Sequence, residues 1–430
     1  MIEHYSPQFW RATLALCLGS FMIFANVYVV QPLLPMLAEQ YQLGTLEVGL
    51  SCTVTTLTLG LSLLIFGPLS DVLGRNLLML ITMCGVVFCT FSLSMVETFT
   101  QLLCLRALQG FFLAGLPAIA IAYMGDEFSK KALISAVGIY ISANSLGGIG
   151  GRLIGGFFGD WLGWQEAFLC MSLISFVCLS VFVWLLPASE NFNAQPFKFK
   201  QMFKDALDHL SNPLLLIAYL IGGFNFFIFL NQYSYATFML AAEPYGLPAS
   251  LLGMLFLTYL SGTFGSYISS RLISILPQPL VIAAGVSCLM FGSLFTLQGS
   301  IPAIVGGFLV NAFGFFLAHS SASSWVNRTA THSKATASSI YLVFYYLGAS
   351  SGGLYLDPFW QWQAWGGVIM GSLLVFFMTF SLAVFLHIKS SPTGSSFLCR
   401  LTSVSVKKFR SKDGISTPLS RRGTGRTTIG

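Results

Sequence analysis

The sequence predicts an all-α membrane protein of twelve transmembrane helices in two six-helix bundles. Three observations predict it. Only 8% of the 430 residues are charged while 55% are hydrophobic, whereas a soluble domain carries roughly 25% charged residues. The mean hydropathy is +0.77, and apolar windows of about 20 residues, the length that crosses a bilayer core, recur along the chain. The charged residues left between those windows alternate in sign from one connection to the next.

The spans fall near 11–38, 46–67, 77–96, 99–123, 132–158, 166–186, 213–240, 249–271, 278–297, 302–324, 335–357 and 364–387. Lipid offers no hydrogen-bond partner to the backbone, so only helices and closed barrels cross it. Apolar runs this long and unbroken mean helices. The first run is too long for a signal peptide and is followed by further spans, so it is read as a retained helix.

With the N-terminus placed in the cytoplasm, that side receives Arg11, Arg75, Lys130, Lys131, Lys198, Lys200, Lys204, Arg271, Arg328 and Lys334. The opposite connections hold Glu39, Glu47, Glu97, Asp160, Glu166, Glu243 and Asp357 and no Lys or Arg. This is a positive-inside split, and it predicts both termini in the cytoplasm of a cell with the chain in its inner (plasma) membrane. Eight of the nine cysteines lie inside apolar runs without metal-ligand spacing, as small hydrophobes. Neither a disulfide framework nor a metal site is expected.

The expected organisation is an N-terminal six-helix bundle over 1–186, a linker over 187–212, a second bundle over 213–389 and a disordered tail over 390–430. The linker interleaves Lys198, Lys200 and Lys204 with Phe197, Phe199 and Phe203. It suits either a short amphipathic helix on the cytoplasmic face or a solvated loop. From Lys389 on there are nine Lys or Arg and one acid, Asp413, a net charge of +8. The chain's formal +6 therefore comes from the tail, the body is slightly acidic, and the basic pI is no argument for nucleic-acid binding. Such a composition predicts disorder and weak attraction to anionic lipid.

The chain also repeats itself. Tyr41, Leu43 and Gly49 recur as Tyr245, Leu247 and Gly253, each at an offset of 204 residues, and Gly110 and Gly314 share that offset. Two halves of six spans follow.

Residues 67–76 read Gly67-Pro68-Leu69-Ser70-Asp71-Val72-Leu73-Gly74-Arg75-Asn76, between spans 2 and 3. A Gly, an Asp, a second Gly and an Arg beside lipid need a reason. The stretch resembles the signature between helices 2 and 3 of the major facilitator superfamily of transporters, a Gly-x-Leu-Ala-Asp-Arg-x-Gly-Arg pattern of which Gly67, Leu69, Asp71, Gly74 and Arg75 are kept and Val72 and Asn76 depart. Gly67 is expected to let span 2 approach a neighbour, and Gly74 to make the turn. The resemblance implies that Asp71 meets the positive end of span 11, that Arg75 pairs with Asp126 or Glu127 at the end of span 4, and that together they form a cytoplasmic gate between the halves.

Span 4 carries Arg106-Ala107-Leu108-Gln109-Gly110, which resembles the Arg-x-x-Gln-Gly pattern of the family's proton-coupled antiporters. Span 5 carries Gly147-Gly148-Ile149-Gly150-Gly151-Arg152-Leu153-Ile154-Gly155-Gly156, similar to the glycine-rich span 5 of drug and sugar efflux members without their Gly-Pro pair. Gly110, Gly147, Gly148, Gly151 and Gly155 are expected to serve close helix packing. An Arg within a span costs at least about 2.5–3.5 kcal/mol on insertion scales. Arg106 and Arg152 sit at one depth, roughly 10 Å below the outer surface at 1.5 Å per residue. They repel unless an acid from Glu39 or Asp160, or an anionic substrate, lies between them. The alternative for Arg106 is neutralisation by backbone carbonyls. Replacing either with Ala is expected to abolish transport with expression intact.

Substrate sites at the midplane, between repeats, are the rule for transporters. This places Asn26, Tyr28 and Gln31 of span 1 and Asn231, Gln232 and Tyr235 of span 7 on the pathway. His319 is the one histidine deep in a span, a proton carrier or a packing residue. No Asp or Glu lies in the middle third of any span, so a proton would be carried by Glu39, Asp160, Glu243 or Asp357 near the outer mouth, or by His319. No His-Asp or Asp-Asp pair suggests a membrane-embedded enzyme. The resemblance implies a monomeric secondary transporter with inverted internal repeats. It works by alternating access, uses no cofactor beyond the proton gradient, and exports a drug, sugar or anionic metabolite; proton-coupled uptake is the alternative. Membrane lipid and a small-molecule substrate are its expected partners.

Overall fold

In the computed structural model, which describes residues 1–192 and 199–390, the chain crosses twelve times as helices. The first ten spans are Pro7–Tyr41, Thr45–Leu73, Arg75–Leu93, Phe99–Glu127, Lys130–Leu162, Trp164–Leu185, Pro213–Ala241, Ala249–Leu272, Gln278–Gln298 and Ile301–Thr329. The last helical stretch, Lys334–Ser390, runs for 57 residues but breaks at Gln363 and Ala364, whose φ values are −147° and 45°. It is therefore two helices, 334–362 and 365–390. Together they make two bundles of six, the architecture expected from the sequence. The spans' outward faces are apolar, with Phe88, Phe176 and Trp184 more than half exposed, as expected of side chains that face lipid.

Two connections shrink to a single residue. Gly74 joins spans 2 and 3 at φ 98°, and Gly163 joins spans 5 and 6 at φ 114°. Only glycine adopts such angles without strain. The signature stretch is thus less of a loop than the sequence suggests: 67–73 is the last part of span 2, and the turn is Gly74 alone.

Three spans are bent. Span 1 passes through a 3-10 turn at Gln31–Leu33, where Pro32 and Pro35 remove backbone donors. Span 4 breaks at Ala114. Span 8 is α-helical over Ala249–Leu255, 3-10 over Phe256–Tyr259 and α-helical again over Leu260–Leu272. A 3-10 stretch inside a helix rotates the side chains that follow it out of the α register.

Span 5 lies along span 1 on a row of glycines. A Cβ at Gly147, Gly151 or Gly155 would strike the backbone carbonyl of Phe21, Ala25 or Val29 respectively, each four residues on from the last. Gly110 packs as closely on Thr55 and Thr58 of span 2. Gly67 does not behave this way. Nothing lies within 4 Å of where its Cβ would stand, so the close approach expected there is absent. A Cβ at Gly148 would stand at ordinary contact distances, 3.5 Å from Arg152 and 3.6 Å from Tyr28, and this glycine belongs to the site below.

Of the linker, Phe199–Ser211 is helical, the first of the two forms expected. Phe203 and Leu207, one turn apart, are exposed on it. Phe197, Lys198 and the tail from 391 lie outside the described residues.

Candidate functional site

At the end of the bundle that carries the basic connections, Arg75 is nearly buried and holds two acids. Its Nη1 lies 2.6 Å from Asp71 and its Nε 3.0 Å from Asp126 of span 4. Nη1 also donates to the Ser70 hydroxyl at 2.6 Å. Asp71 therefore pairs with Arg75 of its own half, where the start of span 11 was expected. Glu127 turns elsewhere and accepts from the Ser189 hydroxyl at 2.7 Å and from the Asn191 side-chain amide at 2.7 Å and backbone N–H at 3.0 Å. This network belongs wholly to the first half: it ties spans 2, 3 and 4 to the chain leaving span 6.

The polar residues of span 1 and span 7 divide into two sets. Asn26 and Gln232 point into their own bundles. Asn26 donates to Met22 O and the Ser175 hydroxyl, each at 2.8 Å, and accepts from Thr90 at 2.6 Å and Gln109 at 3.3 Å. Gln109 also donates to Thr90 at 2.7 Å. Gln232 donates to Ser293 at 3.0 Å and Ser372 at 3.3 Å and accepts from Asn311 at 3.0 Å. The first knot joins spans 1, 3, 4 and 6. The second joins spans 7, 9, 10 and 12, the corresponding four of the other half. Both are buried.

Arg106 belongs to the first knot. It is fully buried and donates to the carbonyls of Ser51 at 3.3 Å, Asn26 at 3.0 Å and Val27 at 2.9 Å, and to Gln109 at 2.5 Å. Its charge is spread over backbone dipoles of spans 1 and 2, which is the carbonyl neutralisation held open by the sequence. Kinked span 1 makes this feasible, because the turn after Tyr28 leaves carbonyls without helical partners.

Arg152 is different. It is 1% exposed and stands where the halves meet. Nε donates to Gln31 Oε1 at 2.8 Å, Nη1 to Gly148 O at 2.8 Å and Nη2 to the Tyr259 hydroxyl at 3.4 Å. The guanidinium carbon lies 4.0 Å from the ring centre of Tyr28, 4.4 Å from Phe256 and 4.7 Å from Tyr259. Span 1 and the 3-10 segment of span 8 thus box one cation between aromatic faces, an electrostatically favourable setting. The same Gln31 amide donates to Ser234 at 2.8 Å and Leu230 O at 3.2 Å in span 7, so it links the halves. Among the described residues no carboxylate bonds Arg152.

Ser234 also lines a pocket between the halves with Gly49, Cys52, Asn231, Tyr235, Phe238 and Gly353. Asn231 donates to Phe227 O and Ala349 O at 2.9 and 2.8 Å. Thr45 and Tyr235 line this pocket and also take part in a seal at the end that carries the acidic connections. Asp357 accepts from Thr45 and Tyr235, each at 3.3 Å, and Asp160 accepts from Ser250 at 2.6 Å. One acid bonds across spans 2 and 11, the other across spans 5 and 8, the pair of interfaces related by the repeat. Beside Asp160, a Cβ at Gly156 would strike Ala249 O of span 8. His319 is stacked 5.8 Å from Phe315, tilted against Tyr345 at 4.8 Å and bonded through Nδ1 to the Tyr341 hydroxyl at 2.9 Å. That is an aromatic packing site in the second half.

Comparison with known proteins agrees with this architecture. Residues 16–353 match the family model of the Major Facilitator Superfamily. The chain is 35% identical over 372 residues to the uncharacterized MFS-type transporter YybF of Bacillus subtilis, covering 86% of this chain and 91% of that one. It is 33% identical over 383 residues to the inner membrane transport protein YnfM of Escherichia coli, covering 89% and 91%. A shorter match, 27% over 214 residues and 48% of this chain against 52% of that one, is to the multidrug resistance protein MdtG of Proteus mirabilis. In fold it superposes on an inward-facing, unoccupied bacterial homolog of the human lysosomal transporter Spinster, with a TM-score of 0.69 at 15% identity over 89% of this chain and 96% of that one. The chain belongs to the major facilitator superfamily of membrane transporters.

Proposed function

We propose that the protein is a secondary transporter that exports a small molecule from the cell in exchange for protons by alternating access. Its basic connections face the cytoplasm of a bacterial inner membrane. One observation carries this reading. The bonds that join the two halves, at Gln31–Ser234, Arg152–Tyr259, Thr45–Asp357 and Asp160–Ser250, lie at the acidic end and in the depth below it. The Arg75 network at the basic end stays within one half. Halves bonded to each other at one end, and not at the other among the described residues, are what a transporter needs in the state that opens to the other side. The positive-inside rule makes the sealed side the outer one.

Export is favoured over uptake by the resemblance of the Arg106 and glycine-rich stretches to efflux members and by the similarity to MdtG. The proton is supplied across the membrane, and Asp160 and Asp357, bonded across the seal, are the groups best placed to meet it from outside. A screen of cells with and without the gene for drug susceptibility and for metabolites in the medium identifies the cargo. Everted vesicles, acidified inside, then decide the direction. Export for protons predicts that adding the cargo outside such vesicles releases protons from them. Proton movement in the same direction as the cargo would replace this reading with uptake.

A further inference from the structure

We infer that Arg152 in its aromatic box binds the carboxylate of a monoanionic organic acid with a flat apolar body, a reading that rests on the transporter proposal and names its cargo class. Four observations lead there. A guanidinium has five N–H donors. Arg106 spends its donors on four acceptors between 2.5 and 3.3 Å. Arg152 has two good bonds, at 2.8 Å each, and a long one at 3.4 Å. All three acceptors are uncharged, so the ion is buried with donor capacity left over and, among the described residues, no counter-ion. A buried charge without a counter-ion is unfavourable, and an arriving carboxylate relieves that while matching the planar fork of the guanidinium.

The surroundings select the rest of the molecule. Tyr28, Phe256 and Tyr259 present ring faces within 4.7 Å of the guanidinium carbon. Phe229 extends that surface, 5.1 Å from the Tyr259 ring. Gly148 stands beside both Nη1 and Tyr28 and adds no side chain to the space between them. A sugar would instead need free amides and hydroxyls, but the amides of Asn26 and Gln232 are consumed by the two knots. A dianion would need a second cation, and Arg106 is already satisfied. A cation would be repelled.

The pocket lined by Cys52, Asn231 and Ser234 adjoins the box through Ser234, which accepts from the same Gln31 that accepts from Arg152. Binding to Arg152 therefore touches the bond between the halves. A carboxylate that competes with Gln31 for Nε loosens the Gln31 link at the moment the cargo arrives. This gives occupancy a direct route to the change of access.

The test uses the purified full chain in nanodiscs with benzoate, 2-naphthoate and indole-3-acetate as probes. Each is paired with its neutral amide, and benzylamine serves as a cationic control. Equilibrium binding and thermal stabilisation are read together. At least one acid is expected to bind tenfold or more tightly than its amide, with no binding of benzylamine. Arg152→Gln is expected to remove that preference, and Arg152→Lys to retain part of it. Should Arg152→Gln not fold, Phe256→Leu and Tyr28→Leu, which take away the box but leave the charge, are expected to weaken the acids tenfold or more. Acids and amides that bind equally, a preference for the cation, or an unchanged preference in Arg152→Gln would overturn the inference. Proteoliposomes separate this from the transporter reading. Exchange of protons for a neutral or cationic compound, with no acid bound, leaves the transporter standing and removes the cargo class. An acid that binds through Arg152 yet is never carried across leaves the site standing and removes the proposed transport function.

Discussion

Gln31 accepts from Arg152 Nε at 2.8 Å with its side-chain oxygen while its nitrogen donates to Ser234 of the other half at 2.8 Å. One uncharged side chain thus holds the caged cation and fastens the two bundles. Its neutrality is the point. Gln31→Glu would place a carboxylate against Arg152 in a buried setting, where charge-assisted bonds are about twice as strong as neutral ones. We expect the variant to melt at or above the wild-type temperature and to lose transport, because the cation is already paired. Wild-type transport by Gln31→Glu would show that Arg152 needs no free charge.

The two intramembrane arginines should separate in a simple experiment. Arg106→Ala removes four bonds, three of which tie span 4 to spans 1 and 2 beside the first knot. Each bond to a charged group is worth roughly 1.5–3 kcal/mol, and partners left buried and unpaired add to the cost. Arg106→Ala is therefore expected to reach the membrane poorly and to melt well below wild type. Arg152→Ala should accumulate normally and fail in transport. Equal membrane levels and equal melting for the two would contradict the assignment. This revises the expectation from sequence that replacing either arginine abolishes transport with expression intact, and favours the carbonyl alternative kept open for Arg106.

Packing is testable on the glycines. Gly151→Val drives a side chain into the Ala25 carbonyl of span 1, whereas Gly67→Ala enters open space. Overpacking a tight contact costs typically 1–3 kcal/mol or more. Gly151→Val should lower the melting temperature of the purified protein clearly, and Gly67→Ala should leave it within about a degree, since open sites change stability by less than about 0.5 kcal/mol. The same shift in both would remove the glycine row as a determinant.

How much of this was legible in the sequence follows from what each feature depends on. The twelve spans were readable because length and hydropathy are local, and the break at Gln363–Ala364 fell at the start of the last expected span. Arg75 with Asp126 was readable from the motif and the end of span 4. The fate of Arg106 was readable only as one of two alternatives, because two of its acceptors, the Asn26 and Val27 carbonyls, are freed where span 1 bends. Thr90, Ser175, Ser293, Asn311 and Ser372 were missed as polar residues scattered in apolar runs. The signal that could have found them is their recurrence at similar depth in corresponding spans of the two halves. Phe256 and Tyr259 were missed too, since a 3-10 segment in span 8 turns them toward Arg152, and hydropathy gives no sign of it.

The seal also predicts a change in access. Cys52 lines the pocket together with Thr45 and Tyr235, the two residues that bond Asp357. In a background where the other cysteines are Ser, Asp160→Ala with Asp357→Ala removes the bonds to Ser250 and Thr45. Two bonds of about 0.5–1.5 kcal/mol each shift the balance of states roughly fivefold or more toward outward opening. A membrane-impermeant maleimide added outside should label Cys52 correspondingly faster. An unchanged rate would mean that the acids do not hold the seal.

The most direct measurement joins the two halves across that seal. In a cysteine-free background, Asp160→Cys and Ser250→Cys replace side chains that touch at 2.6 Å, and oxidation or a short bifunctional thiol reagent links them. If the halves must part at this end in each cycle, linking will stop transport of the identified cargo, and for an oxidised link a reductant will restore it. Transport at the uncrosslinked rate by fully linked protein would contradict alternating access through this gate.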